Sequence, residues 1–304
     1  MKKVLVIAGP TGVGKSDLGV KLARAFHGEI ISGDSIQVYR ELNVGSAKVT
    51  QEEMQGVPHY LIDILNIDQE YNVNDFQQRA RKYIDEISDR GNLPLIVGGT
   101  GLYIKATLYD YEFPETAVLD ESEYDAYSNE ELKRQLEEAD PKSAEAIHVN
   151  NRKRLIRALH LAKSGNVKSE TEAKQKHEEI YDSFIIGLTM PRESLYERIN
   201  LRVTKMMENG LKEEMDTLIT KYPDFFRFRS SQGIGYREWE AYYNKDNSEE
   251  EVLENIRKNS RHFARRQYTW FQNQMNVHWF DITDPAYPEN VMKEIAEWIG
   301  NGRD

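Results

Sequence analysis

Residues 3–16 read Lys3-Val4-Leu5-Val6-Ile7-Ala8-Gly9-Pro10-Thr11-Gly12-Val13-Gly14-Lys15-Ser16. The apolar run Val4–Ala8 predicts a short buried strand. Gly9 to Ser16 fit G-x-x-x-x-G-K-[ST] at every fixed position, the phosphate-loop pattern of ATP- and other nucleotide-binding proteins. Such a loop turns successive backbone N–H groups inward around a phosphate, and its glycines let the backbone come close. The helix expected to begin near Lys15 adds the positive end of its dipole. Lys15 would reach the outer phosphate and the Ser16 hydroxyl would ligand Mg²⁺. A plain glycine-rich turn is the competing reading. The strand before the loop and the amphipathic helix after it (Leu18, Leu22, Ala25, Phe26) favour the phosphate site. The loop specifies a phosphate-bearing ligand, but not that phosphate is the group transferred.

Working outward, Glu29–Ser32 reads as a second strand with Gly33–Tyr39 as the loop at its carboxyl end. Ligands of doubly wound α/β sheets sit at that edge, which places Asp34 beside the phosphate loop. Residues 58–64 are expected as another strand. Residues 74–90 are expected as a helix with Phe76, Ala80, Tyr83, Ile84 and Ile87 on one face and Asn74 as its N-cap. Leu93–Val97 is a buried-strand run leading into Gly98-Gly99-Thr100-Gly101-Leu102-Tyr103. Strands alternating with helices predict a parallel sheet, hence an α/β phosphate-loop core of the doubly wound type. Between about 115 and 181 the composition changes, first acidic, then basic over Asn150–Leu159, then polar. A mostly helical insertion domain, 115–181, is expected inside a core made of 1–114 and 182–304. Ser183–Leu188 restores strand character. The remainder reads mainly as helix over 195–218, with Arg198 and Arg202 sharing a face, and over 249–274. A loop entering a helix at 230–240, a short strand at 278–280 and a last amphipathic helix complete the chain.

The chain has 304 residues, 30% charged and 39% hydrophobic, as in a globular protein with a sizeable core. The apolar run near the N-terminus is too short for a signal peptide, and no stretch approaches a membrane span, so a cytoplasmic protein that does not enter membranes is expected. With no cysteine, disulfides, thiolate chemistry and cysteine-based zinc modules are excluded. The net charge of −11 argues against a nucleic-acid binder only until its distribution is read. Residues 255–272 carry Arg257, Lys258, Arg261, Arg265 and Arg266 with no acid, interleaved with His262, Phe263, Tyr268, Trp270 and Phe271. Residues 152–157 form a second basic helix. Basic residues with aromatics fit a surface that follows an RNA backbone and stacks bases. A solvated helix face with its aromatics in the core is the alternative.

A phosphate-loop kinase often ends an apolar strand in an Asp that holds Mg²⁺. Here the strand ends in Gly98-Gly99-Thr100, a hydroxyl that either binds a ligand or caps the following helix. Asp34 is the candidate base, kept ionised by Lys15 and a metal; an Asx-turn residue is its structural alternative. His59 and His148 lack metal-ligand spacing and are expected to be structural.

Taken together, Gly9-Pro10-Thr11…Gly14-Lys15-Ser16, Asp34-Ser35-x-Gln37-x-Tyr39, Gly45-Ser46-Ala47-Lys48, Gly98–Tyr103, Asn150-x-Arg152-x-x-x-x-Arg157-Ala158-Leu159, Arg198 and Arg202 ahead of Gly210-Leu211, Gln232-x-Ile234-Gly235-Tyr236 and Arg265-Arg266-Gln267-x-Thr269-Trp270 resemble the tRNA dimethylallyltransferase (isopentenyltransferase) family across nearly the whole chain. The resemblance implies transfer of a dimethylallyl group from dimethylallyl diphosphate to the exocyclic amine of the adenosine just 3′ to the anticodon. The loop then holds a diphosphate leaving group, which fits the missing acid after Val97. By the same resemblance Asp34 accepts the amine's proton, Thr100 hydrogen-bonds the diphosphate near the breaking bond, and Arg202, Lys15 and Mg²⁺ neutralise it. Asp34, Ser35, Ile36, Gln37, Thr100, Gln232, Gly235, Tyr236, Arg261, Arg265, Arg266, Gln267 and Trp270 would contact the tRNA. Arg152 and Arg157 of the insertion would grip the anticodon stem-loop. Two stretches depart from the family pattern, His148-Val149-Asn150-Asn151 and Ser46 in place of threonine. The absence of cysteine matches the bacterial form, without a zinc finger, and a monomer is expected. The rival readings are a small-molecule kinase that uses ATP with Asp34 as base, and a non-catalytic RNA-binding protein.

Overall fold

A computed structural model describes residues 1–113, 119–167, 169–170 and 178–300. Two compact units emerge, Met1–Leu108 with Glu179–Asp304, and Tyr109–Glu178.

The first unit is built on β1 (Lys3–Ala8), whose Val4, Leu5, Val6, Ile7 and Ala8 have no solvent exposure. A strand apolar on both faces belongs in the middle of a parallel sheet. β1 pairs in parallel with β4 (Leu93–Gly98) on one side and β5 (Asp182–Thr189) on the other. β2 (Gly28–Gly33), β3 (His59–Tyr60) and β6 (His278–Asp281) complete six parallel strands in the order β3-β2-β4-β1-β5-β6. β1 leads to β2 on one side and its neighbour β4 leads to β5 on the other, so a topological switch point, where ligands bind in such sheets, lies between β1 and β4. The register brings three loops to one level. Ile7 lies opposite Val97, Val97 opposite Ser32, and Gly98 opposite Gly33. The segments after Ala8, Gly33 and Gly98 therefore leave the same edge side by side. This α/β sheet is the expected fold.

α1 (Lys15–Ala25) starts at the predicted residue and buries Leu18, Val20, Leu22 and Ala23 on the sheet. α2 (Val73–Asp89) carries the predicted face, but its N-cap is Asn72, not Asn74. The Asn72 side chain accepts from the N–H groups of Asn74 and Asp75, and Asp75 reaches back to the Asn72 N–H. The expected strand over 58–64 shrinks to the two residues of β3, because Leu61 and Asp63 take left-handed φ values of 63° and 55° and turn the chain away. The stretch 195–218 is two helices, α7 (Arg192–Glu208) and α8 (Leu211–Lys221), broken at Gly210 with φ 89°. α9 (Glu249–Gln274) opens on a capping box at Ser248 and Glu251.

Beneath β2, Glu29 is 5% exposed. It accepts from Arg90 at 2.7 and 3.2 Å, from Tyr60 Oη at 2.5 Å and from Asn92 Nδ2 at 2.7 Å. Burial works to raise its pKa; the hydrogen bonds from Arg90, Tyr60 and Asn92 outweigh this and hold it below the ordinary value. Its contribution to stability is therefore complete above the normal glutamate range and is lost as pH falls through the lowered folded value. Arg90→Ala is expected to lower stability at pH 7, by an amount limited by the exposure and screening of the guanidinium. Urea denaturation should show this cost shrinking in acid; an equal cost at both pH values would contradict the assignment.

The second unit packs Tyr124, Leu132, Leu136, Ala144, Ile147, Leu155, Ile156, Ala158 and Leu159 into its own core. Its helices are α4 (Asn129–Ala139), α5 (Pro141–Ala146) and the predicted basic helix α6 (Arg152–Lys163), which buries its apolar stripe there. Part of the polar stretch expected over 164–179, namely 168 and 171–177, lies outside the described residues, as do 115–118 at the expected start of the insertion.

Candidate active site

At the shared edge, the phosphate loop has the backbone its glycines allow. Gly9, Gly12 and Gly14 have φ values of 136°, 82° and 100°. A Cβ on Gly9 would lie 2.7 Å from the Leu188 carbonyl oxygen. The Lys15 ammonium folds back and donates to the carbonyls of Gly9 (3.0 Å) and Pro10 (2.8 Å). Enclosure of that ammonium, with the Arg202 charge next in weight, lowers its pKa to about 7, while the Asp34 carboxylate pulls the other way. Burial likewise lowers the pKa of Arg202, against the pull of Asp34 and Glu53. Arg202 Nη1 donates to Thr11 Oγ1 at 3.3 Å. Two cations thus converge on one loop and cost energy until an anion joins them.

Asp34 forms the Asx turn, its Oδ1 accepting from the N–H of Ile36 (2.7 Å) and Gln37 (3.2 Å). The structural and functional readings of Asp34 coexist, because Oδ2 takes no partner among the described residues and the residue is only half-buried. Thr100 is half-buried at the entry to α3 (Gly101–Leu108), and its carbonyl accepts from the N–H groups of Tyr103 and Ile104. Its hydroxyl makes no side-chain cap and stays free among the described residues. Ser16 is exposed in the first turn of α1, also with no partner. No group of three or more His, Cys, Asp or Glu side chains that could hold a metal occurs among the described residues. A single hydroxyl fits a Mg²⁺ ion that arrives with phosphate oxygens and keeps its waters, not one caged by protein.

The arrangement is a loop holding two cations at the same sheet edge as a fixed carboxylate, with a free hydroxyl between strand and helix. A family model described as IPP transferase matches residues 37–274. The chain belongs to the IPP transferase family. It is 48% identical to the tRNA dimethylallyltransferase of Bacillus anthracis over 307 aligned residues, 97% of this chain and 95% of that protein. A crystal structure of a tRNA isopentenylpyrophosphate transferase from Staphylococcus epidermidis matches all of both chains at 41% identity with a TM-score of 0.74. A eukaryotic dimethylallyltransferase, described as acting on tRNA, matches all of this chain and 81% of its own at 27% identity, TM-score 0.86.

In this IPP transferase several residues expected to contact tRNA have other duties. Tyr236 is fully buried, and burial, then the nearby Glu214 carboxylate, pushes its pKa well above the ordinary value. Gly235 is buried beside it, a Cβ there falling 2.6 Å from the Gly45 carbonyl oxygen. Both pack against the loop at Gly45 and Ser46. Gln267 is 6% exposed and ties two loops together, its Oε1 accepting from Thr11 N–H (2.8 Å) and its Nε2 donating to Gly99 O (3.0 Å). Arg261 is engaged by Asn200 (2.7 Å) and Glu254 (3.0 Å). Arg152 donates to the carbonyls of Tyr124 and Tyr127 and to Asn129, holding its own unit together. Of the α9 aromatics Phe271 is buried, while Phe263, Tyr268 and Trp270 are half-buried. Tyr268 lies 4.7 Å from Trp279, and Trp270 covers Gly101 so closely that a Cβ there would clash at 2.1 Å. Part of the aromatic surface expected to stack bases is therefore used in packing within the fold.

What remains exposed on the family member's α9 is a face of Lys258, His262, Arg265 and Arg266; in the other unit it is Lys153, Arg154 and Arg157. Ser35, Ile36 and Gln37 are half-buried beside Asp34, and Gln232 is exposed. The roles of Glu214 and Glu238 in holding the neighbouring loops were not legible in the sequence. Glu238 is buried and accepts from Gly235 N–H, Arg237 and Asn259. Glu214 follows Glu213 in a first turn where acids suit the helix dipole, and nothing local separates the two. Removing the Gln267 tie leaves the buried Gly99 carbonyl and the part-buried Thr11 N–H unpaired, so Gln267→Ala is expected to destabilise by about 1–3 kcal/mol. An unchanged urea midpoint would show the tie to be dispensable.

Proposed function

We propose that the protein transfers a dimethylallyl group from dimethylallyl diphosphate to the exocyclic amine of the adenosine 3′ to the anticodon of tRNA, releasing diphosphate. The observation that carries the reading is the Asp34 carboxylate, one oxygen locked by two backbone N–H groups and the other free, at the same sheet edge as the two-cation loop. The diphosphate lies in the Gly9–Ser16 loop. Its oxygens are met by loop N–H groups, by Lys15 swung off the Gly9 and Pro10 carbonyls, by Arg202 and by the Thr100 hydroxyl. The amine nitrogen attacks the allylic carbon, the carbon–oxygen bond breaks, and its electron pair leaves on the diphosphate. The amine's proton passes to Asp34 Oδ2. An aromatic amine is a weak nucleophile, so positioning and stabilisation of the leaving charge carry most of the acceleration. When bound through Ser16 and the diphosphate, Mg²⁺ supplies further charge neutralisation.

The target base must leave its stack to reach this edge. The exposed cations Lys258, Arg265 and Arg266, and Arg154 and Arg157 in the 109–178 unit, suit an RNA backbone. That unit grips the anticodon stem-loop in this reading. Every group invoked comes from one chain, in keeping with a monomer, and a cytoplasmic setting follows from the substrate. No helix among the described residues is long and apolar enough to cross a membrane. The test is diphosphate release with both substrates present. Release that requires tRNA and dimethylallyl diphosphate together is expected; ADP formed from ATP with neither would support the kinase instead.

A further inference from the structure

The Glu214 carboxylate meets four donors. Oε2 accepts from the N–H groups of Asn43 (2.9 Å) and Val44 (2.8 Å), and Oε1 from Gly45 N–H (3.1 Å) and the Tyr236 hydroxyl (2.8 Å). Tyr236 in turn accepts from Ser46 N–H at 3.1 Å. The loop is pressed onto this pair, since a Cβ on Gly45 would lie 2.6 Å from the Tyr236 ring. One acid of α8 thus fixes the backbone of residues 43–46.

That loop holds Gln37. Its Nε2 donates to the carbonyls of Ala47 (3.2 Å) and Ser46 (3.4 Å). Both amide hydrogens are spent on these acceptors, and turning the amide over would set its oxygen against two carbonyl oxygens. The orientation is therefore forced, and Gln37 Oε1 has no partner among the described residues. Gln37 N–H also donates to Asp34 Oδ1, so the same turn carries the free Asp34 Oδ2. Two groups of this turn are acceptors of fixed orientation, Gln37 Oε1 and Asp34 Oδ2, and the half-buried Ser35 hydroxyl lies between them in sequence.

We propose that Glu214 is a positioning residue that sets acceptor specificity. By fixing the 43–47 loop it locks the orientation of the Gln37 amide, so the turn sets two fixed acceptors beside the Ser35 hydroxyl, which can donate or accept, and selects a purine with an exocyclic amine over one with an oxo group. This rests on the transfer reaction proposed above. Adenine offers N–H donors at its six position and guanine an oxygen acceptor, so a rigid pair of acceptors favours the first and repels the second. A free glutamine could turn over and serve either.

The test measures binding of two anticodon stem-loop RNAs, identical but for adenosine or guanosine 3′ to the anticodon, to the full-length chain and to two variants. Glu214→Gln puts an NH₂ against backbone N–H groups and should release the loop. Tyr236→Phe keeps the ring packing and removes only the hydroxyl that joins Glu214 to Ser46. The adenosine preference is expected to fall about tenfold in Glu214→Gln and severalfold in Tyr236→Phe, with KM for dimethylallyl diphosphate unchanged. Transfer by the unaltered chain to the adenosine RNA is measured alongside, so failure of the reaction and failure of the specificity claim are read separately. If Glu214→Gln does not fold by circular dichroism, Tyr236→Phe decides. A folded variant that binds both RNAs more weakly by one factor, its adenosine preference intact, overturns the proposal.

Discussion

Asp34→Asn is expected to keep most of its tRNA affinity, which phosphate contacts supply, and to lose about 10²- to 10⁴-fold of the rate of the chemical step. The substitution is nearly isosteric. The remaining amide oxygen can still accept from the N–H groups of Ile36 and Gln37, so the Asx turn survives. What disappears is the free carboxylate oxygen that takes the proton. Single-turnover transfer and a separate RNA-binding measurement divide the two roles. A full rate with intact binding would remove Asp34 from the chemistry; normal chemistry with weak binding would make it a recognition group. Asp34→Ala is expected to do worse than Asp34→Asn, because it also frees the turn and with it Gln37.

The second large effect is at Lys15. Lys15→Ala should lower kcat by about 10²- to 10³-fold, the scale for losing one preorganised donor to developing charge. The ammonium lies between two loop carbonyls and beside Arg202, in surroundings that lower its pKa to about 7 through burial first and Arg202 second. An arriving diphosphate relieves both costs, and most strongly when the bond breaks and its charge grows. Lys15→Arg is expected to rescue little, because a planar guanidinium does not fit the space of a compact ammonium. Comparing kcat and KM for the diphosphate checks this. A change confined to KM would mean that Lys15 binds the ground state without favouring the transition state.

How much of this was legible in the sequence follows the range of the forces involved. The Val4–Ala8 strand, the loop and α1 depend on neighbours within a few residues, and they stand where expected. The parallel sheet followed from repeated strand–helix alternation. The strand expected over 58–64 failed because Leu61 and Asp63 adopt positive φ, which their side chains do not announce. The break at Gly210 could have been read from the glycine, but the helical pattern on both sides hid it. The basic-aromatic helix shows the limit most plainly. Composition marked α9 for RNA, yet which residues face outward is set by packing on distant elements. Gln267 turns in to Thr11 and Gly99, Trp270 covers Gly101, and Arg265 and Arg266 stay exposed. Tyr236 and Glu214 belong to the same class, since their partners at 43–46 are far away in sequence.

The central claim is that the phosphate loop serves a leaving group while Asp34 serves a tRNA base. It is tested most directly by incubating the purified chain with Mg²⁺, labelled dimethylallyl diphosphate and unmodified tRNA, then digesting the RNA and locating the label by mass spectrometry. The account predicts label on the exocyclic nitrogen of the adenosine 3′ to the anticodon, and none when Lys15 or that adenosine is replaced. Unlabelled tRNA, with ADP formed in a parallel reaction given only ATP, would contradict it.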